Sequence, residues 1–438
     1  MGTASRELPL LGDAPLDAPI AWRAGCWISR AEFLAHAGRL ARELPPGGAA
    51  VNLCGDRYHF MVALAALLVR GTTALLPPSA APRTVSDIAA AWHAFTIDDA
   101  LVEAAAPGAA RADRIPAVDA RRPAVVLFTS GSTGHPTPQA KDWAELSGST
   151  RVALQRFALD GSRRDLIATV PAQHSYGFES SVLYAMLGPA TIHAGQPLYP
   201  ADVQAALAAV SAPRVLVTTP VHLSAFVRAG LEWPATERII SATAPLERSI
   251  AQAAEETFGA PVYEIYGCSE AGALASRRTC RDIAWLPYEG VALRESGDDA
   301  YAHARHLPQP RKLGDIVAIG ADGRFELRGR KADQIKVAGK RITLAELNRR
   351  LLEIDGVEDG SFVVPEDSRR GRLAAVVVAP DLPAEQIRAR LAESLDPVFL
   401  PRPLVRVPVL ERNATGKLTR AAILDILRER AGPASLSP

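Results

Sequence analysis

The 438-residue chain is short of cysteine, carries no strong charge of either sign and contains no long apolar run. Its four cysteines, Cys26, Cys54, Cys268 and Cys280, have neither Cys-x-x-Cys spacing nor the density of a disulfide scaffold. That excludes a small secreted, cross-linked fold and points to a reducing compartment. A formal net charge of +1 removes the electrostatic reason to expect nucleic acid or an anionic membrane as a main partner. The longest apolar stretch, Phe60 to Val69, falls well short of the ~20 residues a membrane span needs, and the N-terminus lacks a basic, apolar, cleavable leader. A cytoplasmic protein with no membrane span is expected. No Gly-Lys-Ser/Thr follows the hydroxyl-rich glycine segment described below, which disfavours an ordinary P-loop phosphohydrolase.

With 48% hydrophobic residues the chain can bury a large core, shared between a large and a smaller domain. Residues 27 to 43 carry Ile28, Phe33, Leu34, Ala37, Leu40 and Ala41 at helical spacing, with Ser29 as a candidate N-cap. Ala49 to Leu53 reads as a strand, Phe60 to Val69 as a buried helix ending before Gly71, and Thr72 to Leu76 as a second strand. Strands and helices alternate, which is an α/β layout. Pro77 to Pro123 has no clear pattern. Arg214 to Thr218 and Arg238 to Ile240 read as buried strands. After residue 310 short alternating segments follow, then helices at Leu344 to Leu352 and Ala384 to Leu395 and strands at Gly360 to Val364 and Leu373 to Ala379, an α+β domain of ordinary size.

The most informative segment is Val125-Val126-Leu127-Phe128-Thr129-Ser130-Gly131-Ser132-Thr133-Gly134-His135-Pro136, where an apolar run opens into hydroxyls alternating with glycines. Glycines let backbone N–H groups approach a polyanion and the Ser and Thr hydroxyls add donors around the same oxygens, the makings of a phosphate cradle. A polar linker is the plain alternative.

Further islands follow in a fixed order: Tyr266-Gly267-Cys268-Ser269-Glu270, Gly314-Asp315, Gly329-Arg330 and Asn413-Ala414-Thr415-Gly416-Lys417-Leu418-Thr419-Arg420. With Thr129 to Pro136 they resemble the successive core motifs of the ANL adenylate-forming superfamily, which includes acyl-CoA and aryl-CoA ligases, peptide-synthetase adenylation domains and luciferases. The resemblance implies a large N-terminal domain of mixed sheets and helices over residues 1–329 and a small, mobile α+β C-terminal lid over residues 330–438. It implies ATP and Mg²⁺ as cofactors, a carboxylic acid as substrate, and CoA or a phosphopantetheinylated acyl carrier protein as acceptor.

Matched position by position, the resemblance assigns Thr129, Ser130, Gly131, Ser132, Thr133 and Gly134 to the phosphate loop, and Glu270 to Mg²⁺. Tyr266, with Gly267 and Ser269 beside it, falls near adenine. Asp315 falls on the ribose hydroxyls and Arg330 on ribose or phosphate. Lys417 is placed to bridge the carboxylate and the α-phosphate. His174, in Pro171-Ala172-Gln173-His174-Ser175-Tyr176-Gly177, is placed to gate the carboxylate pocket. Gly339 matches a glycine beside the pantetheine arm, although a turn before a helix explains it equally well.

Four departures stand out. Pro136 is followed by Thr137-Pro138 where relatives continue Lys-Gly, so the loop lysine is missing, and Lys141 either substitutes for it or is simply solvated. Ser269 replaces the usual threonine. Ser241-Ala242-Thr243-Ala244-Pro245-Leu246 stands where the family has Ser-Gly-Gly-Ala-Pro-Leu. Ala332 sits at the hinge where relatives carry Asp or Lys. The variant Pro136-x-Pro138-x-x-Lys141-x-Trp143 is similar to small ligases that load aromatic acids onto carrier proteins. A conventional acyl-CoA or aryl-CoA synthetase and a non-catalytic ATP/AMP-sensing module are the alternatives.

Overall fold

The computed structural model describes residues 7–106, 108–129, 137–297, 299–331, 334–337, 340–365, 373–412 and 418–431. The chain parts into two compact units, Met1–Ala292 with Ala302–Arg311, and Leu293–Tyr301 with Lys312–Pro438. The position 329/330 falls inside a hairpin of the second unit, Asp315–Ile319 against Phe325–Arg330.

The first unit is built on two large sheets. In the five-stranded sheet, Phe95–Ile97, Ala49–Asn52, Thr73–Leu76 and Pro123–Thr129 run parallel, and Thr137–Asp142 closes it antiparallel to Pro123–Thr129. Parallel neighbours need helical crossovers. The first is the helix Arg57–Arg70, capped by Asp56 at its start and stopped by Gly71 at φ 65. The preceding helix, Arg30–Glu43, begins at Ser29 in a capping box with Glu32, as its sequence indicates. The unassigned stretch 77–123 holds a helix, Pro82–Trp92, that buries little besides Ile88. Its apolar stripe, Val85, Ile88 and Ala89 at helical spacing, packs against the five-stranded sheet but is short and set among alanines and prolines, which hides it in the sequence.

In the nine-stranded sheet, Asp165–Ala168, Arg214–Thr218, Arg238–Ser241 and Val262–Cys268 are successive parallel neighbours. Ile167, Leu216, Ile239 and Val262 are fully buried against Phe226 and Ala251 of the covering helices. Parallel alignment brings the carboxyl ends of these strands, and whatever follows them, to one edge of the sheet, where α/β folds bind their ligands.

The second unit contains a three-stranded sheet, Asp359–Val363, Ala374–Val378 and Leu404–Arg406. Its centre strand is buried at every position. Ala375 and Val377 face a core with Leu347, Leu351, Ile387 and Leu391, while Ala374, Val376 and Val378 face Ile423, Leu424 and Leu427. This two-residue alternation with both faces covered explains the continuous apolar run. The α/β class with mixed sheets and a smaller α+β part agrees with the sequence. No helix among the described residues is long and apolar enough to cross a membrane.

Candidate functional site

Ser130, Gly131, Ser132, Thr133, Gly134 and Lys417 lie outside the described residues, as do Ala332 and Gly339. The ends of the phosphate-loop segment are fixed nonetheless. Thr129 and Thr137 are paired across the antiparallel hairpin, so the segment leaves and re-enters at the carboxyl end of the strand Pro123–Thr129.

The next motif sits where Val262–Cys268 turns back into Gly272–Arg277. A β-bulge between Tyr266 and Gly267 opens this turn. A Cβ on Gly267 would overlap the Gly272 carbonyl oxygen, so only glycine fits the bulge. The Ala271 N–H donates to the Cys268 carbonyl at 3.1 Å and closes the turn that carries Ser269 and Glu270. Burial and the nearby Glu270 carboxylate push the Cys268 thiol up to about 12, so it stays protonated. Tyr266 is buried against Trp285, with ring centroids 5.7 Å apart.

Lys141 reaches this turn from the hairpin. Its side chain is only 3% exposed, it pairs with Glu145, and its ammonium donates to the Glu270 carbonyl oxygen at 2.6 Å. Arg311 approaches Glu145 at 3.9 Å. Lys141 is thus not a solvated lysine, and the ends of the phosphate-loop segment are joined through it to the Glu270 turn.

His174 precedes the short helical turn Ser175–Gly177, which runs into a π-helical stretch, Phe178–Leu183. Such stretches recur at functional sites. Gly177 is again obligatory, because a Cβ would overlap the Pro171 carbonyl oxygen. The Tyr176 hydroxyl donates to the Ile240 carbonyl at 2.8 Å, tying the segment to the end of the strand Arg238–Ser241. Arg57 braces the same region from below. It is fully buried and donates to the Ala168 and Val170 carbonyls and the Ser181 hydroxyl, and burial lowers its pKa to about 10.

At the neighbouring strand ends, the Thr169 hydroxyl bonds both the Thr218 hydroxyl at 2.9 Å and His222 Nδ1 at 2.8 Å. Burial lowers the His222 pKa, favouring the neutral ring. Thr243 holds φ +86, a left-handed conformation at a position where the resembled family has glycine. Ala242, which is buried, and Thr243 thus carry side chains at the two positions where the resembled motif has glycines.

In the second unit, Asp315 and Arg330 face each other at the open end of their hairpin, with Arg330 Nε 3.5 Å from Asp315 Oδ1 and the arginine 71% exposed. The Lys331 N–H donates to the Gly314 carbonyl at 2.9 Å just beyond them.

The structure therefore brings Thr129, His174, Tyr266, Gly267, Ser269 and Glu270 into one unit and pairs Asp315 with Arg330 in the other. Sequence reading missed Glu179, Thr169, Thr218 and His222. Tyr176 lay inside a motif already singled out, whereas Glu179 carries no local signal. Among the described residues no group of three or more His, Cys, Asp or Glu could hold a metal ion by itself. A Mg²⁺ site built on one carboxylate and substrate phosphates would not register as such a group.

Residues 80–296 match the family described as AMP-binding enzyme. The 4-coumarate–CoA ligase of Rhodobacter capsulatus is 28% identical over 276 residues, covering 62% of this chain and 68% of that one. The phosphinothricin tripeptide synthetase PhsC of Streptomyces viridochromogenes is 27% identical over 395 residues, covering 78% of this chain. The chain spans only 35% of the length of that synthetase. In three dimensions it is similar to ATP-bound MatB of Rhodopseudomonas palustris, with a TM-score of 0.78 at 19% identity over 95% of this chain and 96% of the other. Fold and motif order together define an AMP-binding domain of the adenylate-forming kind. Residues 80–296 are thus a match to the AMP-binding domain of the ANL superfamily, and the fold is that of its solved structures.

Proposed function

We infer that the protein is an ATP-dependent, AMP-forming acid-thiol ligase acting on an aromatic or fatty carboxylic acid. The observation that carries this reading is Lys141, which links the hairpin bearing the phosphate-loop segment to the turn bearing Glu270. A carboxylate resists thiol attack because its charge is delocalised and its leaving group is poor. In the first half-reaction a carboxylate oxygen attacks the α-phosphorus of ATP and pyrophosphate leaves. In the second, a phosphopantetheine sulfur attacks the acyl carbon, its proton is lost, and AMP leaves.

The residues divide this work. The backbone and hydroxyls from Thr129 to Gly134 cradle the phosphates, and Tyr266, Gly267 and Ser269 flank the adenine side. Asp315 accepts from the ribose hydroxyls, a role suited to an acceptor-only carboxylate, and Arg330 contacts ribose or phosphate. Lys417 bridges the two anions that must meet, and His174 orients the carboxylate. Mg²⁺ held by Glu270 would supply charge neutralisation on the phosphates. Preorganised charge of this kind is worth about 10²- to 10³-fold per contact.

An acyl carrier protein is the favoured acceptor because the Pro138-x-x-Lys141-x-Trp143 variant resembles ligases that load carriers. CoA is the second reading, supported by the 4-coumarate–CoA ligase relative. The four cysteines are all free, in keeping with a cytoplasmic setting. The test is ATP–pyrophosphate exchange over fatty, benzoic and hydroxybenzoic acids, comparing wild type with Lys417→Ala and Glu270→Ala, followed by mass analysis of CoA and holo-carrier products. Acid-dependent exchange that collapses in both variants is expected. Nucleotide binding with no exchange for any acid would replace this reading with a sensing module.

A further inference from the structure

A buried set of charged groups around the Glu270 turn is used by no step above. Two side chains grip this turn from different elements. Lys141, next to last in the strand Thr137–Asp142, donates to the Glu270 carbonyl at 2.6 Å. Glu179, in the π-helical stretch after His174, accepts from the Ala273 N–H at 3.1 Å. Gly272, at φ +74, makes this second contact possible: a Cβ there would lie 3.2 Å from Glu179 Oε2.

The first grip is itself held by its neighbours. Lys141 and Glu145 are both almost fully buried and paired, and Arg311 also approaches Glu145. His306 completes the group, packed so closely on Gly148 of the helix Trp143–Arg156 that no side chain would fit between them. A lysine so placed cannot swing to a phosphate without abandoning Glu145 in the interior.

We propose that Lys141 and Glu179 are positioning residues for Glu270, holding its turn at Glu270 itself and again at Ala273 just after it, so that the carboxylate is registered against the strand that carries the phosphate-loop segment. Lys141 then does not replace the missing loop lysine as a phosphate contact; it fixes a neighbouring ligand instead. The inference rests on the reading of Glu270 as the Mg²⁺-holding residue. It goes beyond that reading in assigning the task of placing that carboxylate to residues of two other elements. Groups that orient metal ligands typically change metal affinity by about 10- to 100-fold when removed.

The test uses calorimetric binding of ATP to the full chain with and without Mg²⁺, for wild type, Lys141→Met, Lys141→Arg, Glu179→Gln and Glu179→Ala, with thermal melting of each. Expected is a wild-type affinity that rises on adding Mg²⁺. That gain should fall by roughly 10-fold or more in Lys141→Met and Glu179→Ala. Lys141→Arg and Glu179→Gln, which keep a donor and an acceptor, should restore most of it. Affinity without Mg²⁺ should stay within about 2-fold throughout, since Kd then reports no metal contact.

Equal loss with and without Mg²⁺ in Lys141→Met would overturn the proposal in favour of direct phosphate contact. An undiminished gain in Glu179→Ala would overturn it as well, and this arm stands even if Lys141→Met fails to fold. If wild type itself shows no Mg²⁺-dependent gain, the Glu270 reading fails first and takes the inference with it. If wild type gains and the variants do not lose, only the inference fails.

Discussion

Two carboxylates paired with basic side chains stand in opposite environments. Glu145 meets Lys141 where both are almost wholly buried, whereas Asp315 meets Arg330 at an open hairpin end with the arginine mostly in water. The chemistry of the contacts is the same, but the medium differs. In water an ion pair contributes about 0–1 kcal/mol because solvent screens it and two long side chains must be held still. In the interior neither partner can find a substitute, so the pair behaves as one unit that is costly to break. The buried pair is suited to fixing a position. The exposed one can exchange its partner for a ligand at little cost, as the roles proposed for Asp315 and Arg330 require.

The largest predicted effect strikes the buried side. Lys141→Met should lower stability by about 3–5 kcal/mol by stranding Glu145, seen as a drop in melting temperature of about 5–8 °C for a unit of this size. A loss below about 1 kcal/mol would erase the contrast with the surface pair.

Glu179 sharpens it through pH. Burial pushes its carboxyl up to about 7 from an ordinary 4.5, against the pull of Lys141 and the Ala273 N–H. Between those values the folded chain keeps a proton that the unfolded chain has shed. Stability therefore declines as pH rises through this window and levels off above it, by about 3 kcal/mol in all. His306, pulled down to about 4 by burial and the Lys141 charge, gives a slope of opposite sign below pH 6.5. That slope is common to wild type and Glu179→Gln, so the melting temperature of Glu179→Gln should gain on wild type from pH 5 to pH 8. A constant difference would mean that the carboxyl titrates normally.

Gly267→Ala should cost about 1–3 kcal/mol, since its Cβ collides with the Gly272 carbonyl and the bulge must shift; calorimetry on the purified variant measures it. The smallest effect belongs to the exposed pair. Arg330→Ala should change the melting free energy by less than about 1 kcal/mol. On the proposed function it should still raise the KM for ATP.

Much of this was legible in the sequence, and the reason is locality. The helix Leu344–Leu352 and the strand Arg214–Thr218 have the bounds that periodicity indicates, and Ser29 caps its helix. The glycines that a bulge or a tight turn demands sit inside the motifs. What escaped reading depends on distance along the chain. Lys141 and Glu270 are 129 residues apart and Glu179 and Ala273 are 94 apart, so nothing in either neighbourhood announces the other. The π-helical stretch breaks the 3.6-residue rhythm on which helix reading depends. Whether Lys141 replaced the loop lysine or was merely solvated stayed open in the sequence, because burial of a charge is visible only once its partners are in place.

Arg57 belongs by its helix to the five-stranded sheet, yet its guanidinium directs its hydrogen bonds to Ala168, Val170 and Ser181, which belong to the other sheet and its π-helical neighbour. Those acceptors are neutral, so the bonds do not depend on a counter-ion that could titrate or be screened by salt. The two sheets of the first unit are thereby riveted together at the level of the strand ends, and shear between them would strand a cation in a dry interior. The floor of the first unit is thus held against shear by one buried cation whose acceptors carry no charge of their own.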